Sequence, residues 1–407
     1  MEQKRRLFIA IHYMEIGGAE ISLIGLLQSL DYTRYDVDLM VYSHRGELMK
    51  FIPPQVHLLP EIPAYAYIER PMVSALKAGQ WGVVWGRLKA RWQYRHYCKR
   101  KHPRDCGAVF QYVFSAVEPY LPSLRGLGTY DLAISFLTPH NIVLRKVDAR
   151  RKACWIHTDY TYVDTDVDLE LPIWRGFDHI VSISPAVTQA FGSVFPTLKD
   201  KIVEMENILS TRFVRERAAL IPESDILREM PRRADEVRIL SIGRFSEAKN
   251  YDNVPDICRR VNEALRGNKV VTWYIIGYGG DEALIRERIA EAGMEERVIL
   301  LGKRDNPYPY IKACDVYAQP SRFEGKSVTV REAQILCKPV VTTNYTTAPS
   351  QIQDGVDGVI VPMDNAACAE GIARFIRQTD KQNQISDYLR LHDYGNEAEV
   401  RKLDMMF

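Results

Sequence analysis

Twice along this 407-residue chain, short and almost continuously apolar runs alternate with helical stretches. The first series has runs at 7–12 (LFIAIH), 37–42 (VDLMVY), 131–136 (DLAISF), 153–157 (ACWIH), 179–183 (HIVSI) and 202–205. The second has them at 237–242, 270–276, 298–301, 316–319, 340–343 and 358–361. Strands this short and apolar on both faces belong to parallel sheets covered by helices. Two such series predict an α/β protein of two doubly wound Rossmann-like domains. The polar, Arg- and Glu-rich stretch 211–236 reads as the link, so the domains are 1–210 and 211–385. Residues 62–125 interrupt the first alternation as an insert, and a helical final segment, 386–407, is expected to pack back on the first domain.

Composition excludes several classes. A net charge of +2 gives no whole-molecule case for binding nucleic acid. The N-terminal KRRLFIAIHYME imitates a secretory leader, but its apolar core lasts six residues before His12 and Glu15 interrupt it. No run approaches the roughly 18 apolar residues of a membrane span. Seven cysteines, scattered and without a CxxC pair, indicate neither a disulfide framework nor a zinc site. A reducing cytoplasm is the expected location.

The stretch richest in chemistry is FEGKSVTVREAQILCKPVV, 323–341. Glu324 and Gly325 read as loop, and Ser327 as the N-cap of a helix through about Leu336. The unpaired N–H groups and positive dipole end of such a helix suit a diphosphate. Glu332 falls about one and a half turns in, where a carboxylate accepts two sugar hydroxyls. The plain alternative is a surface helix with two solvated glutamates. Upstream, VRILSIG ends at Gly243 and is followed by Arg244 and Lys249, cations at the C-terminal end of a strand, where open α/β sheets bind ligands. Two ordinary surface cations would look the same.

In YIIGYGGDE, Gly277, Gly279 and Gly280 permit a sharp turn and close approach to a ligand, although each alone is equally plain turn chemistry. KRDNPYPYI carries Tyr308 and Tyr310 in a proline-stiffened loop that either borders a nucleobase or packs internally. In the first half, GGAE (17–20) offers Gly17, Gly18 and free N–H groups to an anion. His157 closes ACWIH, with Asp159 two residues on, placed to hold a hydroxyl or shuttle a proton, or simply to cap its loop.

Within the insert, Trp81, Val84, Trp85, Leu88 and Trp92 fall in one helical stripe of about 100°. Arg87, Lys89, Arg91, Arg95, Lys99, Arg100, Lys101 and Arg104 surround and follow it, with no acidic residue from 87 to 104. That pattern suits contact with an anionic membrane through 81–104. The alternative is a stripe packed on the first domain beneath solvated basic groups. RNA is a poorer partner, because the charge is confined to one segment.

Taken in order, GGAE, WIHTD, GRFSEAK, GYGGDE and EGKSVTVREA resemble the motifs of retaining glycosyltransferases of the GT-B fold. The nearest resemblance is to glycosyltransferase family 4, which includes bacterial enzymes that build surface polysaccharides. It covers nearly the whole chain and is strongest from Val237 to Pro362. It implies two Rossmann-like domains facing each other across a cleft. It also implies transfer, with retention, of a sugar from a UDP- or GDP-linked donor to a hydroxyl of a glycan or lipid-linked acceptor.

On that resemblance Arg244 and Lys249 bind the donor diphosphate and Glu324 contacts the donor sugar. The backbone of Gly325, Lys326, Ser327 and Val328 meets sugar and phosphate, and Glu332 binds the ribose hydroxyls. Gly277 and Gly279 count among the donor-binding residues. Gly17 and Gly18 border diphosphate and acceptor, and His157 touches the transferred sugar. His157, Glu324, Arg244 and Lys249 form the expected catalytic set. Lys326 and Ser327 stand where many members carry apolar or proline residues, which bears on the sugar rather than the reaction. No metal or cofactor is expected, because two cations already neutralise the phosphates and the donor loops hold no DxD-type pair. The expected location is cytoplasmic, with the membrane's inner face as a further expectation from 81–104. A sugar-nucleotide epimerase of the same fold and a non-catalytic nucleotide-sugar-binding subunit are the competing readings.

Overall fold

A computed structural model describes the chain except for residues 1–3, 103–106, 159 and 162. It divides into two compact units, Met1–Ile208 with Asn396–Phe407, and Leu209–Gly395. The first unit holds strands β1 (Arg5–Ile11), β2 (Tyr35–Val41), β3 (His57–Leu58), β4 (Tyr130–Ser135), β5 (Ala149–Ile156), β6 (His179–Ser182) and β7 (Ile202–Glu204). They form one parallel sheet in the order β3-β2-β1-β4-β5-β6-β7. The second unit holds β8 (Glu236–Ile242), β9 (Val270–Ile276), β10 (Val298–Gly302), β11 (Val316–Gln319), β12 (Val340–Thr343) and β13 (Val359–Val361). Their parallel sheet runs β10-β9-β8-β11-β12-β13. Two doubly wound Rossmann-like sheets are thus what the alternation predicts. The residues from Leu7 to Ile11 are wholly buried, as strands covered on both faces must be. Only β3, two residues long, had no signal.

Each order reverses at its first strand. The chain leaves β1 toward β2 and β3 and returns to β4 on the other side; it leaves β8 toward β9 and β10 and returns to β11. The crevice outside the C-terminal ends of such a strand pair is where doubly wound sheets hold ligands. The second of these seams is locked from its N-terminal end. Arg238, buried, sends Nε and Nη2 to the two oxygens of Asp315 at 3.1 Å each. Its backbone N–H donates to the same carboxylate at 2.9 Å.

Five helices bear on function: α1 (Gly18–Ser29), α2 (Trp81–Lys101), α3 (Ala108–Val117), α4 (Val328–Ile335) and α5 (Thr379–Leu391). In the insert, α2 packs on α3 so tightly that a Cβ on Gly86 would lie 2.7 Å from Val117 Cα. Val83, Gly86, Ala90 and Tyr97 line the buried side of α2. The opposite side is open: Trp81, Trp85, Leu88 and Trp92 are 62, 65, 44 and 63% exposed. The tryptophan stripe therefore does not pack on the domain, although Val84 belongs to the buried side. Lys89, Arg91, Arg95, Lys99, Arg100 and Lys101 are exposed around it. Arg87 is not one of the solvated flank, since its guanidinium donates to Arg70 O at 2.5 Å. Arg104 lies outside the described residues. Among the described residues no helix is long and apolar enough to cross a membrane.

The final segment does return to the first unit, but only from Asn396 and not as one helix over 386–407. Helix α5 belongs to the second unit, and the chain rejoins the first only from Asn396. A 3-10 stretch, Glu397–Met406, then ties to β2 where Asp404 accepts from Tyr35 at 2.5 Å and Arg34 at 2.8 Å.

Replacing Asp315 by Ala strands a buried guanidinium at the β8–β11 seam. The expected loss is about 3 kcal/mol, the low end for breaking a buried pair because Asp315 is itself partly exposed. It should appear as a lower urea midpoint for the second unit.

Candidate active site

The loop after β8 brings Gly243, Arg244 and, through a short 3-10 turn, Lys249 to the C-terminal edge of the second sheet. Asn250 adopts a left-handed φ of 59° and donates through Nδ2 to Pro320 O at 2.9 Å, joining this loop to the one after β11. That juxtaposition makes the centre of the site. Lys249 Nζ reaches Glu324 Oε1 at 2.5 Å, and Gln319 Nε2 and Ser321 Oγ donate to the same oxygen at 2.9 and 2.6 Å. No described group donates to the second oxygen, Oε2. Thr347 Oγ1 holds the Glu324 carbonyl at 2.9 Å. Arg244 is exposed, and no described group pairs with it.

Helix α4 starts beside Glu324, after Gly325 and Lys326. Ser327 is its N-cap residue as expected, but the hydroxyl turns to Thr329 Oγ1 at 3.0 Å and caps nothing. Gln351 instead clamps the Ser327 backbone, accepting its N–H at 2.8 Å and donating to its carbonyl at 2.9 Å. The first turn, from Val328, carries no acidic residue. Its N–H groups have no carbonyl of their own helix to bond, which is the arrangement that attracts an anion.

Three further groups of residues in this unit lie within the fold. Glu332 is 1% exposed, and Tyr308 donates to its Oε1 at 2.8 Å within the fold. Burial pushes its carboxyl up to about 7 from the usual 4.5, against the opposing pull of the Tyr308 hydrogen bond and Arg217. Tyr308 and Tyr310 are themselves buried, the second accepting from Arg304 Nε at 3.0 Å, so neither is a nucleobase wall. Gly277 and Gly279 face the β8 loop: a Cβ would fall 2.0 Å from Gly243 O at the first and 2.3 Å from Phe245 O at the second. Their small size serves loop-on-loop packing.

In the first unit, Gly17 is the N-cap residue of α1 and Gly18 opens it. A Cβ on Gly17 would lie 2.3 Å from Glu20 Oε2. A carboxylate of this chain therefore already lies over the helix start, at the position from which a capping-box glutamate reaches back. His157 sits just past β5 with Nε2–H donating to Phe136 O at 2.9 Å. Burial pushes its pKa down to about 4, so the ring is neutral and Nδ1 is an acceptor. That Nδ1 is buried without a partner. Asp159 lies outside the described residues. The sequence reading passed over Gln319, Ser321 and Gln351, which orient Glu324 and Ser327; a glutamine ending the apolar run VYAQ was the available signal. Among the described residues no cluster of three or more His, Cys, Asp or Glu is arranged to hold a metal ion.

Residues 223–392 match the family described as Glycosyl transferases group 1. A Campylobacter jejuni protein named N-acetylgalactosamine-N,N'-diacetylbacillosaminyl-diphospho-undecaprenol 4-alpha-N-acetylgalactosaminyltransferase is 34% identical over 128 residues, 31% of this chain and 33% of that protein. The lipopolysaccharide core biosynthesis glycosyltransferase LpsE of Rhizobium meliloti is 29% identical over 167 residues, 41% of this chain and 46% of that protein. The chain thus spans between a third and a half of the length of these relatives. Whole-chain likeness is structural. Anabaena HepE, solved with UDP and glucose, superposes with a TM-score of 0.67 at 16% identity, covering 98% of both chains. Staphylococcus aureus TarM, in a complex containing UDP, does so with a TM-score of 0.68 at 13% identity, covering 99% of both.

The Glu332 titration is testable without substrate. Between its unfolded pKa near 4.5 and the folded value near 7, the unfolded chain releases the proton first, so stability falls as pH rises. This one group removes roughly 3 kcal/mol across that window. In Glu332→Gln that component vanishes, which urea midpoints measured from pH 4.5 to 8 will register as a flatter profile. The chain has the GT-B fold, and the part of it that carries the Lys249–Glu324 pair is similar in sequence to the glycosyl transferases group 1.

Proposed function

We propose that this chain is a retaining glycosyltransferase. It moves a sugar from a nucleotide-diphosphate donor to a hydroxyl of a glycan or lipid-linked acceptor, in the synthesis of a bacterial cell-surface polysaccharide. The observation that carries this reading is the Lys249–Glu324 pair at the second sheet's reversal point, beside unpaired Arg244 and the start of α4. Such a set neutralises a pyrophosphoryl group and keeps one carboxylate oxygen for sugar hydroxyls. A UDP-linked donor is preferred, by analogy with the UDP bound in the HepE and TarM structures. The polysaccharide setting follows the named roles of the relatives.

In this reading Arg244, Lys249 and the backbone N–H groups of Gly325 and Val328 stabilise charge that grows on the diphosphate as the glycosidic bond lengthens. Glu324 binds the sugar through Oε2. Its Oε1 is saturated by three donors, so it is poorly disposed to attack carbon, and no second acid completes the pair a retaining hydrolase uses. The acceptor hydroxyl therefore attacks from the face the diphosphate leaves, and a diphosphate oxygen takes its proton. Retention of configuration follows. Glu332 accepts the ribose hydroxyls, and neutral His157 accepts a substrate hydroxyl at Nδ1. The two cations stand where a metal would otherwise act, so no metal or cofactor is required. The reaction takes place at the inner face of the membrane, to which the exposed tryptophans and cationic flank of α2 dock.

Arg244→Ala and Lys249→Ala should each lower turnover about 100-fold, the ~3 kcal/mol of one preorganised donor, in a UDP-sugar transfer assay. Circular dichroism will show the fold intact, and EDTA will leave wild-type turnover unchanged. Near-normal rates in both variants would sink the assignment. Replacing Trp81, Trp85 and Trp92 by Ala together should weaken binding to phosphatidylglycerol vesicles about 100-fold, at roughly 1 kcal/mol per ring. Equal flotation of wild type and triple variant would remove the membrane contact.

A further inference from the structure

A buried hydroxyl beneath the second unit's site makes no hydrogen bond. Asn250, held in its left-handed turn by the bond to Pro320, sends the next residue, Tyr251, inward. Tyr251 is 0% exposed, and its ring meets that of Phe245 edge-on at 5.9 Å. This is the packing of a core phenylalanine, yet the ring carries a hydroxyl that has no partner. The neighbouring buried phenol is engaged by contrast: Tyr317 donates to Gln319 Oε1 at 2.8 Å, and Thr329 Oγ1 reaches the same oxygen at 3.2 Å. The Gln319 amide in turn donates to Ser321 and Glu324. Leaving a buried hydroxyl unpaired is costly, and phenylalanine would fill the same space without that cost.

The hydroxyl ends beside Lys249. A Cβ built on Gly243 would lie 2.8 Å from Tyr251 Oη, and 3.1 and 3.3 Å from Lys249 Cε and Cδ. Both side chains therefore approach one point over Gly243, which a residue without a Cβ leaves open. The lysine ammonium is a single bond beyond Cε. Burial, with the Glu324 carboxylate adding to it, pushes the Tyr251 phenol well above its ordinary pKa. Its oxygen is thus a neutral acceptor for an N–H donor. Closed off from solvent, it can act on a ligand only through what lies over it. An ammonium has three protons to give. Lys249 gives one to Glu324 Oε1, and a diphosphate oxygen takes a second. We propose that Tyr251 is a positioning residue for Lys249, its hydroxyl oxygen accepting the third proton and fixing the tip of a flexible chain between carboxylate and pyrophosphoryl group. This rests on the diphosphate site of the transferase reading, to which it adds a residue that otherwise only packs.

A double-mutant cycle on the full chain makes the test, with UDP and inorganic pyrophosphate as probes and phosphorus NMR titration to follow affinities into the millimolar range. Tyr251→Phe should weaken binding of both about tenfold, the effect of losing a hydrogen bond to a charged group. Its melting temperature should equal or exceed that of the wild type, because the free protein loses only an unpaired hydroxyl. In a Lys249→Ala background the same substitution should cause no further loss, since the hydroxyl acts through the ammonium. Gly243→Ala, whose methyl would stand between hydroxyl and lysine, replaces Lys249→Ala if that variant binds too weakly to measure, with the same expectation. Undiminished binding by Tyr251→Phe would overturn the assignment. So would a tenfold loss that persists in the second background, the mark of a hydroxyl that merely supports the fold. Failure of the wild type to bind either probe would sink the diphosphate reading, and this inference with it. Saturable wild-type binding without coupling between Tyr251 and Lys249 would defeat the positioning role alone.

Discussion

The seam between β8 and β11 is where the second unit's chemistry is decided, because it joins residues 70 or more positions apart. Apolar burial drives the two strands together but is non-directional, and a slip of one residue would turn every side chain to the other face. Polar contacts set the register. Arg238 grips Asp315 at one end, and Ser241 Oγ donates to Ala318 O at 2.6 Å in the buried middle while accepting from Trp273 Nε1 at 2.9 Å. At the other end Asn250 holds Pro320, and Arg322 spans back to Asp252 with two bonds of 2.9 and 2.7 Å. Lys249 and Glu324 are the outermost rung of this ladder. Their meeting is thus a consequence of strand order, fixed well before any ligand enters.

A carboxylate beside a diphosphate site is an electrostatic liability unless something neutralises it. Glu324 is neutralised by Lys249 and two neutral donors on a single oxygen, which leaves the other oriented and chemically available. In the proposed reaction a diphosphate would compete for the same ammonium, and Arg244, unpaired in the fold, would supply the charge that Lys249 alone cannot share out. Glu332 meets a different constraint. On the wall side of α4 it is desolvated, and its titration near neutrality follows from burial that Tyr308 only partly offsets.

The strands were legible because burial on both faces leaves a plain apolar signature. β3 was not, since His57 and Leu58 are too few to show any period. The loops after β8 and β11 were also legible, as cations and acids at strand ends. What escaped was orientation. Gly277 and Gly279 carry the same letters whether they approach a ligand or a neighbouring loop, and only the position of Phe245 decides between them. Tyr308 in a proline-rich loop looks like an exposed aromatic until its hydroxyl is found on Glu332. Helix α2 was resolved only by its partner: small residues at Gly86 and Ala90 draw α3 against one side, which commits the tryptophans to the other.

The two helix starts show how one residue separates superficially similar motifs. GGAEIS and GKSVTV both follow a strand with glycine before a helix, and both present unpaired N–H groups at a positive dipole end. In α1 the third helical residue is Glu20, whose carboxylate folds over Gly17; in α4 it is Val330, which has no charge to offer. A carboxylate thus lies beside the helix start in the first case, and the first turn supplies none in the second. The same difference sets the character of the two reversal points, with acids gathered around His12 and cations around Gly325.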